Sequence, residues 1–257
     1  MKTLPLGSAL PDLMFRVTFV ALCSLTLAAL SASAAHAAAI VVDEFSEPSP
    51  STAYAIDFAD PNPLLIKTVG PGILGGERDL LVEVAGLSGP VSATGVMGEG
   101  TYLFGSAGAG ASATLQYDGV DADIVGPPAE LVNAEGLGGI DLIAATNTGF
   151  LFEFLNIDGG AATVLGLDMV ATSTTGSASF SGSIPESAGP SGFFVPFASF
   201  NTVGTFSFAD LTSLEVTFNP TAVHDVDFEL DAIRTVPEPL SVMFLLFGSV
   251  TAAKRRR

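Results

Sequence analysis

The sequence predicts an all-β protein whose body is a single antiparallel β-sandwich of jelly-roll type, flanked by an N-terminal signal peptide and a C-terminal hydrophobic helix. Three observations lead there. Short apolar runs alternate with Gly, Pro, Asn and Asp through the middle of the chain, which is the pattern of strands and turns. No long segment of that region repeats its apolar residues at helical spacing. The body spans residues 38–235, long enough to bury one good core.

The N-terminal element comes first. Arg16 precedes an apolar run from Val17 to Leu30, followed by the small-residue stretch "SASAAHAAA". That is the n-region, h-region and A-x-A order of a secretory peptide, and cleavage is placed after Ala37, with Ala35 and Ala37 flanking His36. The run is shorter than the roughly 20 residues of a spanning helix, so an uncleaved anchor is the competing reading. Pro5, Pro11 and Asp12 lengthen the n-region, and Met14 offers a more ordinary start. Cys23 leaves with the signal, and Leu22 before it is not the small residue of a lipoprotein site. The remaining body has no cysteine, so its stability must come from its core or from metal ions.

Within the body, strands are expected at 39–45, 79–86, 101–107, 112–118, 140–146, 149–157, 163–170 and 176–184. Three more are expected at 193–200, 213–218 and 226–236, with "ADLTSL" (209–214) forming a short turn before its strand. The last strand is the most legible. In "HDVDFELDAI", Asp225, Asp227, Glu229 and Asp231 alternate with Val226, Phe228 and Leu230. Successive strand residues face opposite ways, so one face is apolar and the other holds four carboxylates. Those charges repel unless they are solvated or bridged by a cation.

Between Ala38 and Val236 the only cations are Lys67, Arg78 and Arg234, against 25 acids, a formal net charge of −22. Such a surface repels phosphate backbones and excludes nucleic acid as a partner. Solubility alone could explain the acidity; the other reading is a partner that is a neutral glycan, a divalent cation or a protein. A structural Ca²⁺ takes carboxylate and carbonyl oxygens, and first and last strands of a jelly roll often lie together. The candidate ligands are therefore Asp43, Glu44 and Asp231. "DGVDAD", with Asp118, Asp121 and Asp123, lacks EF-hand spacing and reads better as a solvated turn. The single body histidine, His224, has no G-x-S-x-G elbow to serve, and no Cys, His cluster or phosphate loop supports an enzyme. With no Trp, three Tyr and Phe at alternating strand positions, the sequence shows no obvious sugar-stacking platform.

The tail has three parts: Val236-Pro237-Glu238-Pro239, an apolar run from Leu240 to Ala253, and Lys254, Arg255, Arg256 and Arg257. Proline keeps the first part extended, and the basic end stays cytoplasmic. The run measures about 21 Å as a helix against a hydrocarbon core of about 30 Å, and a plain membrane anchor is one reading. In its three parts and their order, the segment 236–257 resembles the PEP-CTERM sorting signal. The resemblance implies cutting near Pro-Glu-Pro by an exosortase, with Pro237, Glu238 and Pro239 as substrate residues. It implies an exported protein of a Gram-negative bacterium, held transiently in the inner membrane. Its destination would be the cell surface, outer membrane or extracellular matrix, in association with exopolysaccharide or biofilm.

"FFVPFASF", "FADLTSLEVTF" and "DFELDAI" resemble the late strands of galactose-binding-like jelly rolls in carbohydrate-binding modules. Ala232 replaces the second Asp or Asn usual in the final strand of that family. Two functions are thus expected. The first is a non-enzymatic surface or matrix protein, delivered by the export machinery and an exosortase; the alternative is a carbohydrate-binding module acting on extracellular polysaccharide.

Overall fold

A computed structural model of the protein describes residues 39–46, 51–57, 64–85, 91–98, 100–107, 110–120, 136–144 and 146–237. The expected signal peptide, with Ala35 and Ala37, lies outside these residues, as do Glu238, Pro239, the apolar run of the tail and Lys254 to Arg257. Among the described residues no helix is long and apolar enough to cross a membrane.

Among the described residues fourteen strands follow one another: β1 (Ile40–Asp43), β2 (Ser51–Asp57), β3 (Leu64–Val69), β4 (Glu77–Ala85), β5 (Val91–Gly98), β6 (Thr101–Ala107) and β7 (Gly110–Tyr117). The series continues with β8 (Gly149–Asp158), β9 (Val164–Ser173), β10 (Gly176–Pro185), β11 (Ser191–Pro196), β12 (Asn201–Gly204), β13 (Leu211–Phe218) and β14 (Asp227–Val236). They form two seven-stranded sheets. The first runs β11-β8-β14-β6-β5-β2, with β1 also paired to β14; the second runs β12-β10-β9-β13-β7-β4-β3. All pairings of the last strand with β1, β6 and β8 are antiparallel. This is the jelly-roll-like β-sandwich that the alternating runs predict.

Phenylalanines at every second strand position close the sandwich. Phe152 and Phe154 of β8 and Phe228 of β14 meet Phe218 of β13, with ring centroids 6.1, 6.3 and 4.7 Å apart. Each belongs to a different sheet from Phe218, so these contacts weld the two layers together. Burying such a ring stabilises the fold by roughly 1.5–3 kcal/mol. A second cluster gathers Phe150, Phe197, Phe200, Phe206 and Phe208 at the other end of β8.

Three features depart from expectation. The described residues of the segment 140–146 form no strand: Ile140 makes one bridge to Leu211, and the Asp141 carboxylate accepts the Ile143 N–H at 2.9 Å. An Asp side chain that captures a nearby backbone N–H favours a turn over a ladder. Strands β2, β3, β5 and β12 are additional, and the first and third of them are rich in small residues that give little apolar signal. Finally, β14 is irregular. Ala232 and Ile233 are both buried, and its register against β8 shifts on either side of Leu230. Such bulges reverse which residues face outward.

Candidate functional site

β14 lies between β6 and β8 where the acidic alternation is densest. Asp227 stands opposite Gly105 on one side and Asp158 on the other; Glu229 stands opposite Leu103 and Asn156. Phe228 and Leu230 are buried beneath them, so these six residues share the solvent face of the first sheet. On β8, Phe154 and Ile157 both point into the core, leaving Leu155 and Asn156 together between them. That irregularity brings the Asn156 carboxamide into the row beside Glu229.

An open groove of ≈ 290 Å³ runs across these strands, lined by Leu103, Phe104, Gly105, Asn156, Asp227, Phe228 and Glu229. Gly105 makes room for it. A Cβ at this position would stand 2.9 Å from Asp227 Oδ1, so the carboxylate leans over β6 only because no side chain is there. Leu103 beside it is 43 % exposed and supplies an apolar patch. The groove therefore offers strong hydrogen-bond acceptors, one amide that both donates and accepts, and a small greasy surface.

The carboxylates singled out from sequence go to different places. β1 does pair with β14, setting Asp43 opposite Ile233. The Asp43 side chain turns inward and is fully buried. Its Oδ2 accepts from Arg78 Nη1 at 2.6 Å and from the Tyr117 hydroxyl at 2.9 Å, and its Oδ1 accepts the Phe45 N–H at 2.9 Å. The Arg78 guanidinium in turn lies 5.2 Å from the Phe45 ring centre. Burial pushes the Asp43 carboxyl above the usual carboxylate range, and the charge of Arg78 opposes that shift. Glu44 and Asp231 stay solvent-accessible, with Glu44 Oε1 3.9 Å from Arg234 Nη2. Among the described residues no group of three or more His, Cys, Asp or Glu side chains could hold a metal ion.

Asp118 is buried, while Asp121 and Asp123 lie outside the described residues. His224 is exposed and makes one bridge to Gly110; Asp225 occupies a turn at φ 59° before β14 begins. The carboxylate row of the last strand thus has three members rather than four. Val236 ends β14 and Pro237 follows it.

Sequence reasoning placed Asp227 and Glu229 on a solvent face but missed Leu103, Gly105 and Asn156. The one signal for them was a glycine inside the otherwise regular run "TYLFGSA", which marks a close approach in a strand.

No family model and no curated protein matches the chain. Among solved structures, the protein is similar to the family 11 carbohydrate-binding module of the cellulosomal cellulase Lic26A-Cel5E of Clostridium thermocellum. The identity is 12 %, the match covers 78 % of this chain and 95 % of that one, and the TM-score is 0.36. It is also similar to the family 11 module from Clostridium thermocellum in complex with a β-1,3-1,4-mixed-linked tetrasaccharide. There the identity is 13 %, the coverage 72 % and 95 %, and the TM-score 0.33.

Proposed function

We propose that the body is a non-catalytic carbohydrate-binding module of an exported protein, and that the groove across β6, β14 and β8 takes the glycan. The groove itself carries this reading. Asp227, Glu229 and Asn156 converge on a space opened by Gly105, beside the exposed Leu103. Sugar hydroxyls donate to carboxylates and both donate to and accept from an amide, while sugar C–H faces rest on apolar patches. With no cation among the groove residues and a body net charge of −22, the preferred polymer is neutral. Uronic acids and sulfated chains are repelled.

Affinity electrophoresis of the full chain in gels containing neutral or acidic extracellular polysaccharides tests this. A neutral polymer retards the protein, and Asn156→Ala or Glu229→Gln each weakens the retardation by about tenfold, the loss of one or two hydrogen bonds. Retardation by no neutral polymer, or retardation untouched by both substitutions, overturns the proposal.

The tail completes the reading. Val236 to Pro239, the apolar run and Lys254 to Arg257 resemble a PEP-CTERM signal, so we assign delivery to the cell surface or matrix to exosortase processing. Intact mass from an exosortase-competent host should lack about 19 C-terminal residues; a product still ending in Arg257 removes this step. Melting temperature with and without Ca²⁺ tests Asp43, Glu44 and Asp231 directly, since a ligand of the folded state raises it.

A further inference from the structure

The outward face of the first sheet does not end at the groove. It continues along β8 through Glu153 and Leu151, with Arg234 of β14 on one side of Leu151 and Phe194 of β11 on the other. Val195 and its partner Phe150 are buried, so Phe194, one residue earlier, faces outward, while Phe193 packs against the core. The run "FFVP" hides this split, because its two phenylalanines carry the same apolar signal.

Two glycines shape this end of the face. A Cβ at Gly149 would stand 2.6 Å from Cε2 and Cζ of Phe194, so the ring folds down over β8 where that strand has no side chain. A Cβ at Gly192 would stand 3.3 Å from Leu151 Cδ1, so the leucine leans over β11 in the same way. The result is a low apolar floor of one half-buried ring and one half-buried leucine. Arg234 borders it, with Nε 3.1 Å from Glu153 Oε2 and Nη2 3.9 Å from Glu44 Oε1. The Arg234 and Glu153 side chains are each 38 % exposed, which leaves N–H donors and carboxylate lone pairs for a ligand.

We propose that this end of the sheet is a second sugar subsite, and that a polymer held in the groove runs along β8 to reach it. The proposal rests on the glycan reading of the groove. Phe194 supplies an accessible aromatic ring, which the buried Phe104 and Phe228 of the groove do not. A pyranose C–H face rests on that ring, while Arg234 donates to the sugar hydroxyls and Glu153 accepts from them. Asn156 and Leu151 stand roughly 16 Å apart along β8, a span that takes more than one sugar residue. Glu153 and Asp231, half-buried on the stretch between, continue the row of acceptors. The guanidinium faces two carboxylates, so this subsite has no net positive charge and suits the same neutral chain as the groove.

The full chain is run in gels containing neutral β-glucan, galactomannan or dextran, then titrated with size-graded fragments of the polymer that retards it. Phe194→Ala and Arg234→Gln should each weaken retention of the polymer by about tenfold, and Phe194→Tyr, which keeps the ring, should bind like the parent. The exposed ion pair of Arg234 contributes little to stability, so Arg234→Gln reads binding without loss of the fold. The affinity of the parent should climb with fragment length, and in Phe194→Ala that climb should be lost while the shortest fragments that bind are held as before. A loss that is equal at every length overturns the subsite, as does retention untouched by both Phe194→Ala and Arg234→Gln. If Asn156→Ala or Glu229→Gln still weakens retention in that case, the groove stands without the subsite. Failure of all three polymers to retard the parent removes both.

Discussion

Arg78→Met probes an ion pair that the fold buries completely. The guanidinium and the Asp43 carboxylate are both inaccessible to water and 2.6 Å apart. Methionine fills most of the volume but leaves the carboxylate without its cation, retaining only the Tyr117 hydroxyl and the Phe45 N–H. Removing one partner of a buried pair costs about 3–5 kcal/mol. For a body of this size that is a fall in Tm of roughly 6–20 °C. The pH dependence gives the sign. Burial already raises the Asp43 pKa against the pull of Arg78, so deleting Arg78 raises it further. A group with a raised folded pKa contributes stability that is complete below the ordinary carboxylate range and is lost as pH rises through the folded value. The deficit of Arg78→Met should therefore be smallest in acid and grow toward neutrality. Adding Asp43→Asn removes the stranded charge and should recover more than about 1 kcal/mol at neutral pH. Urea unfolding of the parent, both single variants and the double variant, at acid and neutral pH, reads all three quantities. A loss under about 1 kcal/mol at neutral pH, or one that is the same in acid, refutes the reasoning.

Three further variants, at two sites, test other parts of the frame. Asn219 is buried at φ 53°, with Nδ2 donating to Ala111 O and Val223 O at 2.6 and 2.9 Å, and Oδ1 accepting the Val223 N–H at 3.0 Å. Asn219→Ala should cost about 2–4 kcal/mol in thermal or urea unfolding, and Asn219→Gly should recover only the backbone part of it, since the three bonds stay lost. Glu215 on β13 has its pKa raised by burial and, to a smaller degree, by the charge of Glu83. Glu83→Gln should lower the Glu215 titration midpoint seen by NMR without abolishing the shift. Its raised pKa subtracts stability as pH climbs through it, so the same variant should gain on the parent near neutral pH.

Much of the frame is legible because β-structure writes its faces into alternation. "GFLFEFLNI" alternates Phe with half-buried positions, and β8 follows it almost residue for residue. "TYLFGSA" is β6 to the residue. Where side chains are small, as in "VSATGVMG", there is no contrast to read, and β5 goes unseen. "IDLIAAT" shows the opposite failure: its apolar content suggests a strand, while Asp141 closes a turn through its own side chain. The metal expectation rested on β1 lying beside β14, and it does. Two residues of β1, Val42 and Asp43, are both buried at an irregular pairing, so Asp43 turns into the core to meet Arg78.

The sequence by itself determined the fold class, the apolar face of strands such as β8, and the acidity of the body. These are properties of residue order and net charge, which need no partner to be expressed. Tertiary structure alone decided what each charge does. Strict alternation from Asp227 would bury Arg234, yet the irregularity that buries Ala232 and Ile233 together turns Arg234 outward, 3.1 Å from Glu153. A similar shift puts Asn156 beside Glu229, and the absent side chain of Gly105, two strands away, opens the space they face. A bulge is one residue of mismatch between two strands distant in sequence, and no single strand carries it.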